Sequence, residues 1–196
     1  MEAEWPFPDD HFDLIHLSLV HGCVADWPGM MQKIKKHLTP GGHTEHQEWA
    51  LGAPYSPDGT LTPSHPFYRW GRLIEAAGLL RGRPLHLGPR LVPFLHSAHF
   101  SHVHEEVYAV PFGGWPEDER QAMIGREAMR QTVSGMEGYT TVLFTSALGW
   151  GREETAGFVE EVRREMGDDG VHKVIDFHVA WGRKEGGEGE GKGGRG

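Results

Sequence analysis

Glu45 and Glu48 are the acidic side chains whose position in this sequence best suits chemistry. They lie in the segment His43–Trp49, which predicts a β-strand. Alternate side chains of a strand face opposite sides, so Gln47 shares a face with Glu45, and His46 shares the other with Glu48. Only one of the two carboxylates can therefore face a given pocket. Because burying a carboxylate is costly unless it is paired, we interpret both as candidate catalytic residues.

His21 is a third candidate catalytic residue, because it directly follows another predicted strand. The apolar run Phe12–Val20 is typical of a strand buried on both faces. Open α/β sheets bind ligands beyond the carboxyl ends of their strands. A histidine at this position could act as a base or orient a substrate. The alternative is a loop histidine without a chemical role.

A cluster of histidines raises the question of a metal site. Its members are His96, His99, His102 and His104. The first two have helical spacing and the last two have strand spacing, so either pair could clamp a metal, but one continuous element cannot offer all four. The single cysteine, Cys23, is distant in sequence. We therefore expect a surface run of histidines and no metal, with a zinc site as the alternative.

A predicted helix joins the two strands that carry the candidate catalytic residues. Asp26 can cap its first turn, Pro28 suits that turn, and the basic residues 35–37 favour its carboxyl end. Pro40-Gly41-Gly42 is expected to stop the helix before the second strand. A strand, a helix and a strand in this order predict a βαβ unit with parallel pairing and a right-handed crossover.

The remainder of the chain predicts further helices and two more strands. Hydrophobic periodicity indicates helices over Phe67–Leu80, Gly88–His99, Glu117–Gly135, Tyr139–Trp150 and Glu153–Met166, and strands over Val103–Phe112 and Val174–Trp181. Residues 185–196 contain only Gly, Glu, Lys and Arg, which cannot bury enough apolar surface to fold, so they predict a disordered tail. The pattern is that of one α/β domain with four strands.

Composition excludes several classes of function. The chain has 196 residues and a net charge of -9, and residues 33–36 hold its only tight basic group, so we expect no nucleic-acid partner. No apolar run approaches the length of a membrane span, and residues 1–8 lack the pattern of a signal peptide, so we expect no membrane partner. One cysteine and the absence of Asn, which excludes N-glycosylation, fit an intracellular protein.

Several longer motifs, taken together in order, resemble one protein family. They are Trp5-Pro-Phe-Pro-Asp-Asp-His-Phe-Asp-Leu-Ile-His16, Asp26-Trp27-Pro28, His37-Leu-Thr-Pro-Gly-Gly42, Glu45-His-Gln-Glu48, Pro111-Phe-Gly-Gly-Trp-Pro116, Leu148-Gly-Trp150 and Phe177-His-Val-Ala-Trp-Gly-Arg-Lys184. They resemble class I S-adenosylmethionine-dependent methyltransferases and are most similar to the fungal LaeA-like methyltransferases linked to secondary metabolism. The resemblance covers nearly the whole chain up to Lys184.

The resemblance implies an α/β fold with an incomplete Rossmann-like methyltransferase sheet. In the family, seven strands lie in the order 3-2-1-4-5-7-6 with the last strand antiparallel, and the strands predicted here correspond to strands 4 to 7. Residues 1–184 would form this partial domain, with residues 117–166 as a helical insertion that caps the substrate pocket. The family's first three strands, its Gly-rich loop and its ribose-binding acid have no counterpart here. A truncated gene model and a degenerate paralogue both fit this pattern.

The resemblance also implies S-adenosylmethionine as cofactor, at the carboxyl end of the first strand. Leu17, Ser18 and Leu19 would face its methionine part and Trp5 its adenine, although Leu17 also suits a plain core position. The methyl acceptor would be a small molecule or a protein. Without the Gly-rich loop, we expect this chain to bind the cofactor weakly or not at all.

Apolar residues of the helical insertion could line an acceptor site. They are Met123, Met129, Met136 and Phe144. The alternative is that all of them belong to the hydrophobic core.

A second interpretation is a non-catalytic interaction module with a methyltransferase-like fold. The first strand would lack its central neighbour, so its backbone edge would be open. Such an edge could self-associate or take up a partner strand. The resemblance to regulators of secondary metabolism implies a nuclear location, and with the composition we expect the chain in the cytoplasm or the nucleus.

Overall fold

Residues 3–186, which the computed structural model describes, form a four-stranded sheet with helices on both faces. In chain order the elements are β1 (Phe12–Ser18), α1 (Trp27–His37), β2 (Leu38–Trp49), α2 (Pro66–Leu80), α3 (Leu91–Ser97), β3 (Ser101–Phe112), α4 (Glu119–Leu143), α5 (Arg152–Met166) and β4 (Lys173–Arg183). A turn of 3-10 helix, Gly88–Arg90, precedes α3, and a π-helical turn, Phe144–Leu148, follows α4. Residues 187–196, most of the predicted tail, lie outside the described residues.

The strand order in this part of the chain is β1-β2-β4-β3. β1 and β2 are parallel, whereas β4 is antiparallel to both of its neighbours. When the strands are numbered as strands 4 to 7 of the methyltransferase sheet, this order becomes 4-5-7-6 with strand 7 antiparallel. The Rossmann-like α/β fold that the resemblance implies is therefore confirmed.

β1, α1 and β2 form the predicted βαβ unit. Ser18 of β1 pairs with Gln47 of β2 in parallel register. Asp26 caps α1, because its side chain accepts a hydrogen bond of 2.9 Å from the backbone N–H of Gly29. Since parallel strands run in the same direction, the carboxyl ends of β1 and β2 lie side by side.

β2 begins earlier than predicted and contains a bulge. The strand expected to start at His43 starts at Leu38, directly after α1. The parallel ladder with β1 skips the residues between Leu38 and His43, which bulge out of it. Gly41 has a φ of +86°, a conformation that costs glycine little, and so allows the bulge within the strand. The Pro-Gly-Gly segment therefore does not separate the helix from the strand.

The helical insertion also differs from the predicted pattern. The two helices expected to be separated near Gly135 and Gly138 form one helix, α4, which continues into the π-helical turn. Each helical glycine costs roughly 1 kcal/mol relative to alanine. Met136 and Thr140, on neighbouring turns, are fully buried, and this packing offsets the cost. Gly149, with a φ of +74°, ends the π-helical turn.

Each face of the sheet has its own hydrophobic core. One core lies on the side of α1 and α3 and includes Leu17, Met31 and Leu95. The other lies on the side of α2, α4 and α5 and includes Trp70 and Ile175. The helices thus bury their apolar stripes against the sheet. Among the helices in residues 3–186, none is long and apolar enough to cross a membrane.

His46 is a fully buried polar side chain in β2. Its Nε2 lies 2.9 Å from the hydroxyl of Thr44, and within residues 3–186 its Nδ1 has no hydrogen-bond partner. Burial, with a smaller contribution from the nearby His16, lowers the pKa of His46 from 6.5 to about 4. The imidazole is therefore neutral in the folded protein at neutral pH.

We predict that His46 makes the folded state sensitive to mild acid. As the pH falls below 6.5, the unfolded chain binds a proton at His46 that the folded chain excludes until about pH 4, so the free energy of unfolding decreases over this range. At pH 5 the decrease is about 2 kcal/mol. Urea unfolding at pH 7.5 and pH 5 measures it, and His46→Gln should lack this part of the pH dependence.

The matched control for His46→Gln is His43→Gln, an exposed position on the same strand. It should keep the pH dependence of the wild type. The same pH dependence in all three proteins would show that His46 is not the group responsible.

Candidate functional site

The loop after β1 is held against the carboxyl end of β2. The backbone N–H of Leu19 donates to the carbonyl of Gln47 at 2.9 Å. Leu19 has a φ of +53°, which is uncommon for a residue other than glycine, and here the chain leaves the strand. The next N–H, that of Val20, donates to Glu48 Oε1 at 2.6 Å. These two hydrogen bonds place His21 beside the end of β2.

His21 and Glu48, both predicted as candidate catalytic residues, contact each other. His21 Nδ1 lies 3.1 Å from Glu48 Oε2, while the other carboxylate oxygen accepts the N–H of Val20. The side chain of Glu48 is only 1% exposed, and that of His21 is part-exposed. A carboxylate at Nδ1 favours the tautomer with its proton there, which leaves Nε2 as an acceptor. The pair has the arrangement of an imidazole base oriented by a buried carboxylate.

His21 lines a cavity of about 630 Å³ at this edge of the sheet. The carboxyl ends of β2 and β3 and the amino end of β4 contribute its floor, and α2 and α4 contribute its sides. Most of the lining is apolar, as in Trp49, Trp70, Leu85, Phe112, Leu143 and Ile175. A cavity of this volume holds one ligand of drug-like size.

Glu45, the other predicted carboxylate, lies on the opposite side of β2 from Glu48. It contacts His16 Nδ1 at 3.1 Å and accepts a hydrogen bond of 3.0 Å from Gln47 Nε2, and it is partly exposed to solvent. It does not line the cavity beside His21. The structure thus separates the two carboxylates and brings only Glu48 to His21.

The residues predicted to face the cofactor lie in different environments. Leu17 is buried in the core on the side of α1 and α3, Ser18 makes a side-chain hydrogen bond to β2, and Leu19 is half-exposed. Trp5 packs on α1 instead, with its ring 5.1 Å from that of His37. Since α1 ends where β2 begins, Trp5 lies toward the amino ends of the strands. Trp5 therefore does not lie near Leu17, Ser18 and Leu19. The contact of these three residues with a cofactor stays a prediction.

The loop between β1 and α1 carries one glycine and is not a Gly-rich loop. Gly22, in the loop between β1 and α1, has a φ of +73°. A Cβ at Gly22 would meet the side chain of Leu85 at 3.0 Å, so Leu85 packs closely against this glycine. Within residues 3–186 no Gly-rich loop leads from a strand into a helix as a nucleotide-type site needs. Weak binding of S-adenosylmethionine by this chain stays a prediction.

The clustered histidines lie away from this site. His96 is in α3, and His102 and His104 are in β3, where the ring of His104 stacks on Trp181 at a centroid distance of 5.6 Å. In the part of the chain that the structure describes, no three His, Cys, Asp or Glu side chains converge so as to hold a metal ion. The cluster does not enter the chemistry considered below.

Comparison with known proteins identifies the family. A family model described as a methyltransferase domain matches residues 1–102, more than half of the 196 residues. This chain belongs to that methyltransferase family. It is 33% identical over 180 residues to the methyltransferase pytC of Aspergillus terreus, an alignment that covers 91% of this chain and 55% of pytC. It is also 33% identical over 180 residues to the secondary metabolism regulator LAE1 of Cochliobolus heterostrophus, with coverage of 91% and 58%.

The chain spans about half the length of the curated methyltransferase relatives that it matches. Among solved structures, that of the [4+2]-cyclase SpnF aligns with 94% of this chain and 54% of its own, at 18% sequence identity and a TM-score of 0.48. The family assignment depends on the sequence match, and the methyltransferase fold is visible in the strand order of the chain itself.

α4, part of the insertion expected to cap the pocket of a methyltransferase, borders the cavity. Thr132, Tyr139 and Leu143 line it from one side of the helix. None of the four residues predicted to line an acceptor site lines this cavity: Met136 and Phe144 are buried in the core, Met129 packs against that core, and Met123 lines a second, more open cavity on the other side of Trp49. Helical spacing could have indicated a shared face of α4, but only packing shows which face meets the opening.

We predict that removing Glu48 destabilises the protein far more than removing Glu45. Glu48→Ala leaves the part-buried N–H of Val20 without its acceptor, which costs about 1–3 kcal/mol. Glu45→Ala removes a more exposed contact worth at most about 1 kcal/mol. Urea unfolding at neutral pH compares the variants, which match in residue type, strand and histidine partner. An equal loss of stability in both would contradict the structural role of Glu48.

Proposed function

We propose that this chain forms the acceptor side of an S-adenosylmethionine-dependent methyltransferase. The supporting observation is the cavity at the carboxyl ends of the parallel strands, with His21 on its wall and α4 along its side. Open α/β sheets bind ligands at this edge. In this proposal the acceptor is a small molecule enclosed by the cavity, or a side chain of a protein inserted into it.

His21 acts as the base in the proposed reaction. S-adenosylmethionine, when bound, supplies an activated methyl group, so an O–H or N–H acceptor needs mainly to be aligned and to lose its proton. His21 Nε2 takes up that proton. Glu48 is a positioning residue, because its carboxylate holds Nδ1–H and stabilises the imidazolium that forms. Glu45 has no part in this mechanism, since it lies outside the cavity.

The chain by itself binds the cofactor weakly in this proposal. Gly22 packs against Leu85, and Leu17–Leu19 would supply one wall of a cofactor site at most. Nucleotide-type sites in this architecture gain affinity from a Gly-rich loop and an acid on the ribose, and the described residues place neither. In this proposal the chain alone is therefore less active than its longer relatives.

Methyl transfer from radiolabelled S-adenosylmethionine to a panel of phenols and amines tests the proposal. We expect a low rate that rises in proportion to the cofactor concentration through the micromolar range, because the incomplete site does not saturate. His21→Gln should lower the rate about 100-fold or more, since the base is lost. Glu45→Gln, the control on the other face of β2, should leave the rate unchanged.

Saturation at micromolar S-adenosylmethionine would contradict the weak binding. A rate that His21→Gln leaves unchanged would contradict the role of the imidazole. The absence of transfer to every acceptor at millimolar cofactor would contradict catalysis by this chain and favour the second candidate function.

The second candidate function is an interaction module that uses the open edge of β1. Among the described residues β1 pairs only with β2, and Leu14 on β1 is 60% exposed. An open strand edge accepts another strand by hydrogen bonding along the backbone. The proposed occupant is a second copy of this chain or a strand of a protein partner.

For this module we predict self-association that depends on Leu14. Sedimentation velocity should show a dimer for the wild type, and Leu14→Lys should shift it to monomer, because a charge on an edge strand disfavours pairing. Leu80→Lys, at an exposed position at the end of α2, is the control and should stay dimeric. A monomeric wild type at all concentrations would remove the self-association.

A further inference from the structure

The side chains around the cavity are basic, although the chain as a whole is acidic. The chain carries 28 Asp and Glu against 19 Lys and Arg. Within residues 3–186, however, the cavity lining contains no Asp or Glu, and its basic side chains are His21, Arg81 and Arg83. Because His21 contacts the carboxylate of Glu48 behind the wall, the positive charge that favours an anionic ligand comes chiefly from Arg81.

Arg81, which directly follows α2, has no carboxylate partner in the described residues. Its Nη1 donates to the hydroxyl of Ser146 at 2.5 Å, which is a neutral contact. Other arginines do pair with glutamates: Arg90, Arg130, Arg163 and Arg164. A guanidinium carries five N–H donors in a fork that matches a carboxylate. The positive charge of Arg81 and its remaining N–H donors can therefore bind a ligand in the cavity.

Arg83 lies on the same rim and holds it in place. Its Nη1 donates to the backbone carbonyl of Cys23 at 2.8 Å. This hydrogen bond ties the segment after α2 to the loop that carries His21. The basic rim and the candidate base are thus held on one opening.

The interior of the cavity is mostly apolar and includes aromatic side chains. The rings of Trp49 and Tyr139 are partly exposed and line it, whereas Trp70 and Phe112 are almost fully buried behind its surface, and its volume is about 630 Å³. Flat apolar ligands bury well against such side chains. The occupant that fits both parts of the cavity has an apolar ring system and one anionic group.

We propose that the methyl acceptor is an apolar, ring-containing carboxylic acid, bound in its ionised form with its carboxylate on Arg81 and carrying a separate O–H or N–H group. The methyl group passes from the sulfonium of S-adenosylmethionine to that oxygen or nitrogen, His21 takes up the displaced proton, and S-adenosylhomocysteine leaves. This inference rests on the proposed function, which makes the cavity the acceptor site. Arg81 is exposed at the rim, so a guanidinium–carboxylate pair there contributes modestly, through charged partners whose fork geometry matches. A neutral analogue with the same rings keeps the apolar contacts and loses this pair.

Cys23 provides a test that needs neither cofactor nor turnover. It is the only cysteine of the chain, it is exposed, and it lines the cavity. Alkylation by N-ethylmaleimide, followed by mass spectrometry, reports a single adduct whose rate of formation falls when the cavity is occupied. The probes are 1-naphthoate and its neutral analogue 1-naphthamide, which share the same ring system.

We expect 1-naphthoate to slow alkylation at concentrations about 5-fold lower than 1-naphthamide requires. Arg81→Gln should abolish this difference, and Arg81→Lys, which keeps the charge and loses the fork, should retain part of it. Arg120→Gln is the matched control, because Arg120 is exposed about 18 Å along α4 from the cavity-lining Thr132. Circular dichroism and thermal midpoints verify that each variant is folded.

Equal protection by the acid and the amide, or protection that Arg81→Gln does not change, would overturn the proposed carboxylate contact. No protection by either probe would overturn the inference as a whole. Because the assay contains no S-adenosylmethionine, a failed methyl-transfer assay would leave its result standing. Methyl transfer to neutral acceptors, without protection by 1-naphthoate, would overturn this inference and leave the proposed function intact.

Discussion

The parallel pairing of β1 and β2 is the constraint on which the rest of this structure depends. α1 carries the chain back across the sheet, so both strands end at the same edge. The loop after β1 then meets the end of β2, where Glu48 accepts the N–H of Val20 and contacts His21. If the two strands were antiparallel, these residues would lie at opposite ends of the sheet.

The position of the buried acids explains the charge around the cavity. A buried carboxylate is stable only where hydrogen-bond donors satisfy it. Glu75 of α2 follows this rule, since it accepts from the N–H groups of Leu85 and His86 and from Arg90. These bonds hold the segment between α2 and α3 over the cavity. The carboxylates of Glu48 and Glu75 thus lie behind the cavity wall, whereas Arg81 and Arg83 lie at its rim.

The candidate site was predictable in part. Strand alternation places Glu45 and Glu48 on opposite faces, and the structure has them so, with His21 beside Glu48 alone. The contact itself depends on the turn at Leu19, whose positive φ no local pattern indicates. The residues of α2 and α4 that line the cavity were missed, because helical periodicity shows which residues share a face and not what that face meets.

The sequence by itself determined the elements, since caps, periodicity and turn residues act over a few neighbouring positions, and its motifs indicated the methyltransferase sheet. Only the tertiary structure decided that α4 runs through its glycines, that Trp5 packs on α1, and that Arg83 reaches the carbonyl of Cys23, 60 residues away in sequence. These outcomes depend on packing between distant segments. The free energy gained from such contacts exceeds the small local conformational preferences of individual residues, and sequence patterns report only those local preferences.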